Sequence, residues 1–133
     1  MSTQETEQVV SAYLAALSGG DFASYFADDV VWTTMETGDQ VRGRDAVATF
    51  ITSLHSEAFD ARPELVNVAY GDGFAVLEAV FVGVHTGEFA GLAATEARVR
   101  LPYCVGYDVQ GGKITALRAY FPVMALRQLL AAA

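Results

Sequence analysis

The amino-acid sequence predicts an α+β domain in which a strongly curved, mixed or antiparallel β-sheet wraps around about three N-terminal helices. Apolar residues recur at helical spacing in the first half of the chain, and long β-branched and aromatic runs follow in the second half. Helices followed by a series of strands are typical of an α+β layer fold. The length of 133 residues fits one domain spanning 1–133.

Three helices are predicted before the long strands. The first lies in "STQETEQVVSAYLAALSGGD", where Ser2 or Thr3 can cap the start and the Gly19-Gly20 pair ends the helix. Its apolar face comprises Val9, Val10, Tyr13, Leu14 and Leu17. Asp21 is expected to cap a short second helix in "DFASYFADD". A third helix is predicted in "GRDAVATFITSLHSEAF", with His55 at the protein surface.

Five strands and a closing helix account for the rest of the chain. The first strand is "VVWTT", and "METGDQVRG" after it is a loop or hairpin. The "GDG" and "QGG" turns separate the later strands, which are "ELVNVAY", "FAVLEAVFVGVH", "ARVRLPYCVGYDV" and "KITALRAYF". A short amphipathic helix follows Pro122. A curved sheet over helices leaves a concavity, where small ligands usually bind.

Composition and charge narrow the classes of partner. A net charge of −8 and a sequence pI near 4.5 disfavour nucleic acid and acidic membrane surfaces. The single Cys104 excludes an internal disulfide and a cysteine-cluster metal site, and no metal or cofactor is expected. The start "MSTQETEQ" is no signal peptide, and no apolar stretch is long enough to span a bilayer, so a cytoplasmic location is predicted.

Five segments together carry a family resemblance over nearly the whole chain. They are "YFADDVVWTT", "VRGRDAVATFI", "HTGEFAGLAAT", "RVRLPYCVGYDVQGGKI" and "LRAYFPVMALRQL". In this order they resemble the SnoaL-like polyketide cyclases and the limonene epoxide hydrolases. Both families share the cone-shaped α+β fold of nuclear transport factor 2. The resemblance therefore implies that fold and an internal binding cavity.

The resemblance also indicates which strand residues face the cavity. The predicted substrate-binding residues are Trp32, Thr34, Ala79, Phe81, Leu101, Leu117, Ala119 and Phe121. The families' catalytic aspartates fall at Ala119 and Pro122, and the other two members of the epoxide hydrolase set fall at Ala79 and Phe81. No carboxylate occurs in "KITALRAYFPVMALRQLL". Acid–base catalysis by the usual aspartates is therefore not expected.

Two polar residues are the predicted catalytic groups. Tyr103 can donate a hydrogen bond to a developing oxyanion, and His85 can act as a general base near neutral pH. Packing of a core tyrosine and a structural turn histidine are the alternatives. The leading hypothesis is a cofactor-independent enzyme that cyclises or isomerises a small apolar polyketide or isoprenoid-like intermediate. Two alternatives stay open: a non-catalytic carrier of an apolar metabolite, and an epoxide hydrolase with acids relocated to Glu78 or Glu36.

The opposite face of the "FAVLEAVFVGVH" strand predicts a protein partner. Glu78 is expected to point away from the cavity and to pair with Arg98 or Arg118, either on adjacent strands or across a dimer contact. Four valines share this outer face: Val76, Val80, Val82 and Val84. An apolar sheet face should not stand in water, so a homodimer that packs sheet on sheet is expected.

Overall fold

The computed structural model of the protein describes residues 2–133 and confirms the α+β class. Helix α1 spans Thr3–Ala16 and begins at the predicted Ser2 cap. The Ser2 hydroxyl accepts a hydrogen bond from the Glu5 N–H at 3.1 Å, and the Glu5 carboxylate accepts one from the Ser2 N–H at 3.2 Å. This reciprocal capping box satisfies two backbone donors at the helix start.

The predicted second helix is wrong in extent. Only one 3₁₀ turn forms, over Phe22–Tyr25, and strand β1 begins immediately afterwards and spans Phe26–Thr34. Phe26 is fully buried, and its ring centroid lies 5.3 Å from that of Tyr13. Burial of this ring against α1 favours an extended backbone over continuation of a short helix.

The third predicted helix has two parts. Helix α2 spans Arg44–Thr52 and continues as a π-helical turn over Ser53–Ala58. The buried residues of α2 are Val47 and Ile51, which are four positions apart and so lie on one face. Single π-helical turns are rare and are found often at functional sites.

In residues 2–133, six strands form one open sheet in the order β2-β1-β6-β5-β4-β3, so β2 and β3 are its edge strands. The bounds of the remaining elements are β2 Asp39–Arg42, β3 Phe59–Gly71, β4 Phe74–His85, β5 Arg98–Gln110, β6 Lys113–Tyr120 and α3 Val123–Ala131. Strands β1 and β6 run parallel, and all other neighbours are antiparallel. Strand β3 starts earlier than predicted and includes Pro63, which the sheet tolerates because β3 is an edge strand.

Burial alternates along β4 as predicted. Ala79 and Phe81 are buried on the inner face, whereas Glu78 is exposed on the outer face. The prediction that Glu78 pairs with an arginine on an adjacent strand of the same chain is wrong, because the Glu78 carboxylate instead accepts a hydrogen bond from the Asn67 side-chain amide at 3.4 Å. Arg118 instead forms a bidentate pair with Asp108 at 2.8 and 2.9 Å.

Helices α1 and α2 cover the inner face of the sheet. Buried Thr6 fixes α1 to the β3–β4 turn, because its hydroxyl accepts a hydrogen bond from the Gly73 N–H at 2.8 Å and donates to the Ser2 carbonyl at 3.0 Å. Among residues 2–133, no helix combines the length and the apolar character needed to cross a membrane. The space left between helices and sheet is the predicted concavity.

Candidate functional site

An inner cavity lies between the concave face of the sheet and the helices α1 and α2. Its wall is formed by Tyr13, Leu17, Trp32, Ile51, Leu54, His55, Pro63, Leu77, Phe81, Tyr103, Val105, Tyr107, Leu117 and Phe121. The cavity has a volume of about 30 Å³, which is room for about two water molecules. This wall contains no aspartate or glutamate, and its polar groups are tyrosine, histidine and indole.

An outer groove continues from the inner cavity toward solvent, between α1, the π-helical turn and β3. The groove has a volume of about 790 Å³, which is in the range of small-molecule sites. Four residues line both spaces, and we call them the neck: Leu17, Ile51, His55 and Pro63. Hydroxyls of Ser11, Ser18, Thr52 and Ser56 add polar groups to the groove. A ligand in the groove can therefore enter the inner cavity past the neck residues.

Four aromatic rings in edge contact form one wall of the inner cavity. The ring centroids of His55 and Phe81 are 5.5 Å apart, those of Phe81 and Phe121 are 5.3 Å apart, and those of Phe121 and Tyr103 are 5.4 Å apart. Such edge-to-face pairs each add about 0.5–1.5 kcal/mol beyond burial of area. This aromatic wall holds a polar ring, His55 or Tyr103, at each of its ends.

Tyr103 supplies a hydrogen-bond donor in apolar surroundings. Its side chain is half-buried, and within residues 2–133 its hydroxyl has no hydrogen-bond partner. Burial raises the pKa of Tyr103 to about 12, because the phenolate is poorly solvated in the cavity. The hydroxyl thus keeps its proton at neutral pH and is free to donate it in a hydrogen bond to a ligand.

Tyr13, Tyr103 and Tyr107 should ionise only when the protein unfolds. Burial is the main cause of a raised pKa in all three. The unfolded chain releases these protons near pH 10, whereas the folded chain retains them. The stability present below pH 10 is therefore lost as pH rises from 10 toward 12. Absorbance at 295 nm should show delayed ionisation in native buffer and ordinary ionisation in guanidinium, and equal titrations in both solvents would contradict this burial.

His55 lies at the neck, so its predicted surface position is wrong. The His55 ring is half-buried, and its Nδ1 atom is 2.8 Å from the Ile51 carbonyl oxygen. Because a carbonyl only accepts, Nδ1 must carry the proton, and the Nε2 atom of the neutral ring then has a lone pair. Burial lowers the pKa of His55, although the hydrogen bond to Ile51 opposes this effect. The neutral ring is therefore favoured at pH 7.

His85 holds a loop and does not line the inner cavity. The ring is fully buried at the end of β4, and its Nδ1 atom accepts a hydrogen bond from the Thr95 N–H at 3.1 Å. The Thr95 hydroxyl is 3.0 Å from the same nitrogen. Two residues later, the Gly87 N–H donates to the Ala58 carbonyl at 3.0 Å. The "HTG" motif and Thr95 thus form a clasp between the loop and the end of the π-helical turn.

The two histidines should carry their protons on opposite nitrogens. His55 donates from Nδ1, whereas Nδ1 of His85 accepts, so the proton of neutral His85 lies on Nε2. Long-range ¹H–¹⁵N NMR spectra near pH 7 distinguish these tautomers by their nitrogen shifts. Two rings with the same tautomer would contradict one of the two hydrogen bonds.

The structure brings half of the predicted site residues into the cavity wall. Those that line it are Trp32, Phe81, Tyr103, Leu117 and Phe121. Ala79, Leu101 and Ala119 are buried in the core behind the wall. The predicted ligand-binding groups of Trp32 and Thr34 bind each other, since the indole N–H donates to the Thr34 hydroxyl at 3.1 Å.

The sequence does not predict the neck as a group. It predicts Leu17 on the apolar face of α1, and helical spacing carries a similar signal for His55. Val47, Ile51 and His55 follow one another at intervals of four residues, so His55 continues the buried face of α2. Pro63 had no such signal, because it joins the neck only through the pairing of β3 with β4.

The sequence profile of the SnoaL-like domain matches residues 10–117. The chain belongs to the SnoaL-like domain family. This confirms the resemblance inferred from the sequence motifs. Among curated proteins, none matches the chain significantly.

Solved structures of several proteins share the fold over nearly their full length. A candidate polyketide cyclase from Xanthomonas campestris is 26% identical, with a TM-score of 0.80 over 97% of this chain and 96% of that one. A candidate SnoaL-like polyketide cyclase from Jannaschia sp. CCS1 is 17% identical, with a TM-score of 0.87 over 98% and 94%. AclR, a candidate hydroxylase from Streptomyces galilaeus, is 20% identical, with a TM-score of 0.78 over 99% of both chains. Differently named proteins therefore share this fold, and function must be argued from the cavity.

Proposed function

We propose that this SnoaL-like protein is a cofactor-independent enzyme that binds an apolar polyketide or isoprenoid-like intermediate and promotes its cyclisation or isomerisation. The observation that carries the proposal is the apolar inner cavity with the unpartnered Tyr103 hydroxyl in its wall. In water-poor surroundings, a fixed donor stabilises a developing oxyanion far better than it does in water. Loss of one such donor typically lowers kcat by about 10²–10³.

The cavity wall also favours ring closure by restricting the shape of the substrate. Holding reacting atoms together contributes about 7–11 kcal/mol in favourable intramolecular reactions. The inner cavity of about 30 Å³ is too small for a whole polyketide chain. An elongated substrate would pass only its reacting carbonyl end through the neck toward Tyr103 and leave the remainder in the groove of about 790 Å³. The base role predicted for His85 stays a prediction, because its ring lies outside the cavity wall.

Turnover of linear poly-β-keto esters and isoprenoid substrates tests the proposal. Product analysis by mass spectrometry should show many equivalents of cyclised or isomerised product per protein. Tyr103→Phe should lower kcat strongly and leave substrate affinity nearly unchanged, since the lost bond forms mainly in the transition state. Tyr120→Phe is the matched control, because Tyr120 is 52% exposed and lies outside the cavity wall. Equal rates for Tyr103→Phe and wild type would overturn the role of Tyr103.

The alternative of a carrier protein is favoured by the absence of carboxylates from the cavity wall. A carrier should bind one equivalent of apolar ligand and release it unchanged. The epoxide hydrolase alternative requires acids in the cavity, yet Glu78 lies on the outer sheet face and the Glu36 carboxylate accepts a hydrogen bond from the Met124 N–H at 3.1 Å. Hydrolysis of a terpene epoxide that is lost in Glu78→Gln would nevertheless favour that reading.

We also propose that two copies of the chain pack through the outer sheet face. The four outward valines of β4 are only half-buried in the single chain, and Phe74 beside them is 43% exposed. Covering such a surface by a second copy removes apolar area from water. Light scattering at micromolar concentration should give twice the chain mass, and a monomer would overturn this part of the proposal.

A further inference from the structure

The neck contains one polar side chain, that of His55, to which the proposed function assigns no role. His55 is the only neck residue with a titratable side chain, and it contacts both the inner cavity and the outer groove. A reaction at the neck would therefore take place beside this ring. Its nearest aromatic neighbour, Phe81, has no polar atom that could compete for the imidazole.

We propose that Nε2 of His55 is the general base of this site and replaces the carboxylates that the cavity lacks. This inference rests on the proposed function and names its proton acceptor. The ring is held at Nδ1 by the Ile51 carbonyl at 2.8 Å, which leaves the Nε2 lone pair without a partner within residues 2–133. A base fixed on one side and open on the other is the arrangement that proton abstraction requires.

The clasp described above holds the backbone that carries His55. Thr86 and Gly87 both donate to the Ala58 carbonyl, at 3.1 and 3.0 Å, and Ala58 ends the π-helical turn that contains the histidine. The Phe81 ring then fixes the inner edge of the imidazole. The Ile51 carbonyl, the Phe81 ring and the clasp together restrain the position of His55. Such restraint keeps a catalytic group in a productive geometry, and surface histidines usually lack it.

From residue 2 onward, no other titratable group that lines the cavity or groove is a suitable proton acceptor near His55. Titratable groups that line the cavity or groove from neighbouring elements are Tyr13 of α1, Arg62 and Tyr70 of β3, and Tyr103 and Tyr107 of β5. The tyrosines keep their protons at neutral pH because burial raises their pKa values. Glu57 follows on the same turn, but it is exposed and its carboxylate accepts a hydrogen bond from Ser53.

The chemical step balances without a cofactor. The Nε2 lone pair takes a proton from a carbon next to a substrate carbonyl, the C–H electron pair forms the carbon–carbon double bond of an enolate, and the carbonyl π pair moves to oxygen. Where the substrate has a β,γ double bond, the enolate is a dienolate, and return of the imidazolium proton to its γ-carbon gives the conjugated isomer. Alternatively, the enolate carbon attacks a second carbonyl and closes a ring, and the π pair of that carbonyl becomes an alkoxide that takes the proton back from the imidazolium. Burial lowers the pKa of His55, so the ring starts in the neutral form that this step needs.

The base can be tested without the natural substrate, using 5-nitrobenzisoxazole. In this probe, Nε2 takes the proton on the ring carbon, the C–H pair completes a nitrile, and the N–O bond breaks with its electron pair on the phenolate oxygen. We expect elimination faster than with free imidazole, rising with pH along one ionisation below that of ordinary histidine. His55→Gln should lower the rate by about 100-fold or more. Glu57→Gln, two residues away, should leave it unchanged.

Three outcomes would overturn the inference: no elimination above that of free imidazole, an unchanged rate in His55→Gln, or a loss confined to Glu57→Gln. If His55→Gln fails to fold, diethyl pyrocarbonate applied to wild type gives the same answer. Acylation located at His55 by mass spectrometry should abolish elimination, and hydroxylamine should restore it. Elimination by His55 without turnover of polyketide or isoprenoid substrates would defeat the proposed function and leave this inference standing.

Discussion

Gly87→Ala is expected to lower the free energy of unfolding by about 3 kcal/mol, the upper end of the usual cost of overpacking, because overlap with backbone cannot be relieved by side-chain motion alone. A Cβ atom added at Gly87 would overlap the Glu57 carbonyl oxygen and lie 3.1 Å from the carbonyl carbon. Either the loop or the end of the π-helical turn must move. Urea denaturation followed by circular dichroism measures the loss.

Gly91→Ala is the matched control within the same loop. Gly91 has a positive φ of 83°, but nothing lies within 4 Å of a Cβ atom added there. Its cost is therefore conformational, about 1 kcal/mol, and no neighbour is displaced. Equal losses in both variants would show that the loop resists any side chain and that the contact with Glu57 is unimportant.

The same substitution should also affect the neck. Glu57 follows His55 by two residues, so a displaced Glu57 carbonyl shifts the turn that holds the imidazole. Any folded fraction of Gly87→Ala should show altered NMR shifts for His55. The "HTG" motif that led to the family resemblance thus serves to hold the end of a helix, which a sequence pattern alone does not reveal.

The sheet and its inner face could be predicted because strand periodicity is a local property. Leu77, Ala79 and Phe81 are buried and Glu78 is exposed, in agreement with the alternation read from the sequence. By contrast, the start of β1 at Phe26 depends on contact with Tyr13 from α1, and local propensity does not carry that information. The partner of Arg118 is set instead by the pairing of β5 with β6, which places Asp108 on the neighbouring strand within reach.

The candidate site was only partly predictable for a related reason. Trp32, Phe81 and Tyr103 were identified because each lies on a strand whose inward parity follows from its sequence. His55 was missed because a histidine in a run of polar residues suggests solvent exposure. Its place at the neck is set by α1, which comes from a distant part of the chain, and by β3, which directly follows the π-helical turn.

Phe81→Ala is expected to lower the free energy of unfolding by about 3–5 kcal/mol, the usual cost of deleting a fully buried phenylalanine ring. Phe81 is fully buried, and its ring contacts those of Phe59, Phe121 and His55 at centroid distances of 5.1, 5.3 and 5.5 Å. Phe74→Ala is the matched control on the same strand, because Phe74 is 43% exposed on the opposite face. Urea denaturation should show a large loss of unfolding free energy for Phe81→Ala and only a small loss for Phe74→Ala.

The Phe81→Ala variant should also gain an apolar void continuous with the inner cavity, because Phe81 forms part of its wall. Voids lined by apolar side chains stay dry and take up small aromatic molecules. Indole should therefore raise the Tm of Phe81→Ala more than that of wild type or Phe74→Ala, since a ligand bound only by the folded state stabilises it. Equal Tm shifts in all three proteins would mean that the aromatic wall collapses into the space. Because Phe81 also fixes the His55 ring, elimination of 5-nitrobenzisoxazole should slow in this variant even where the probe binds more tightly.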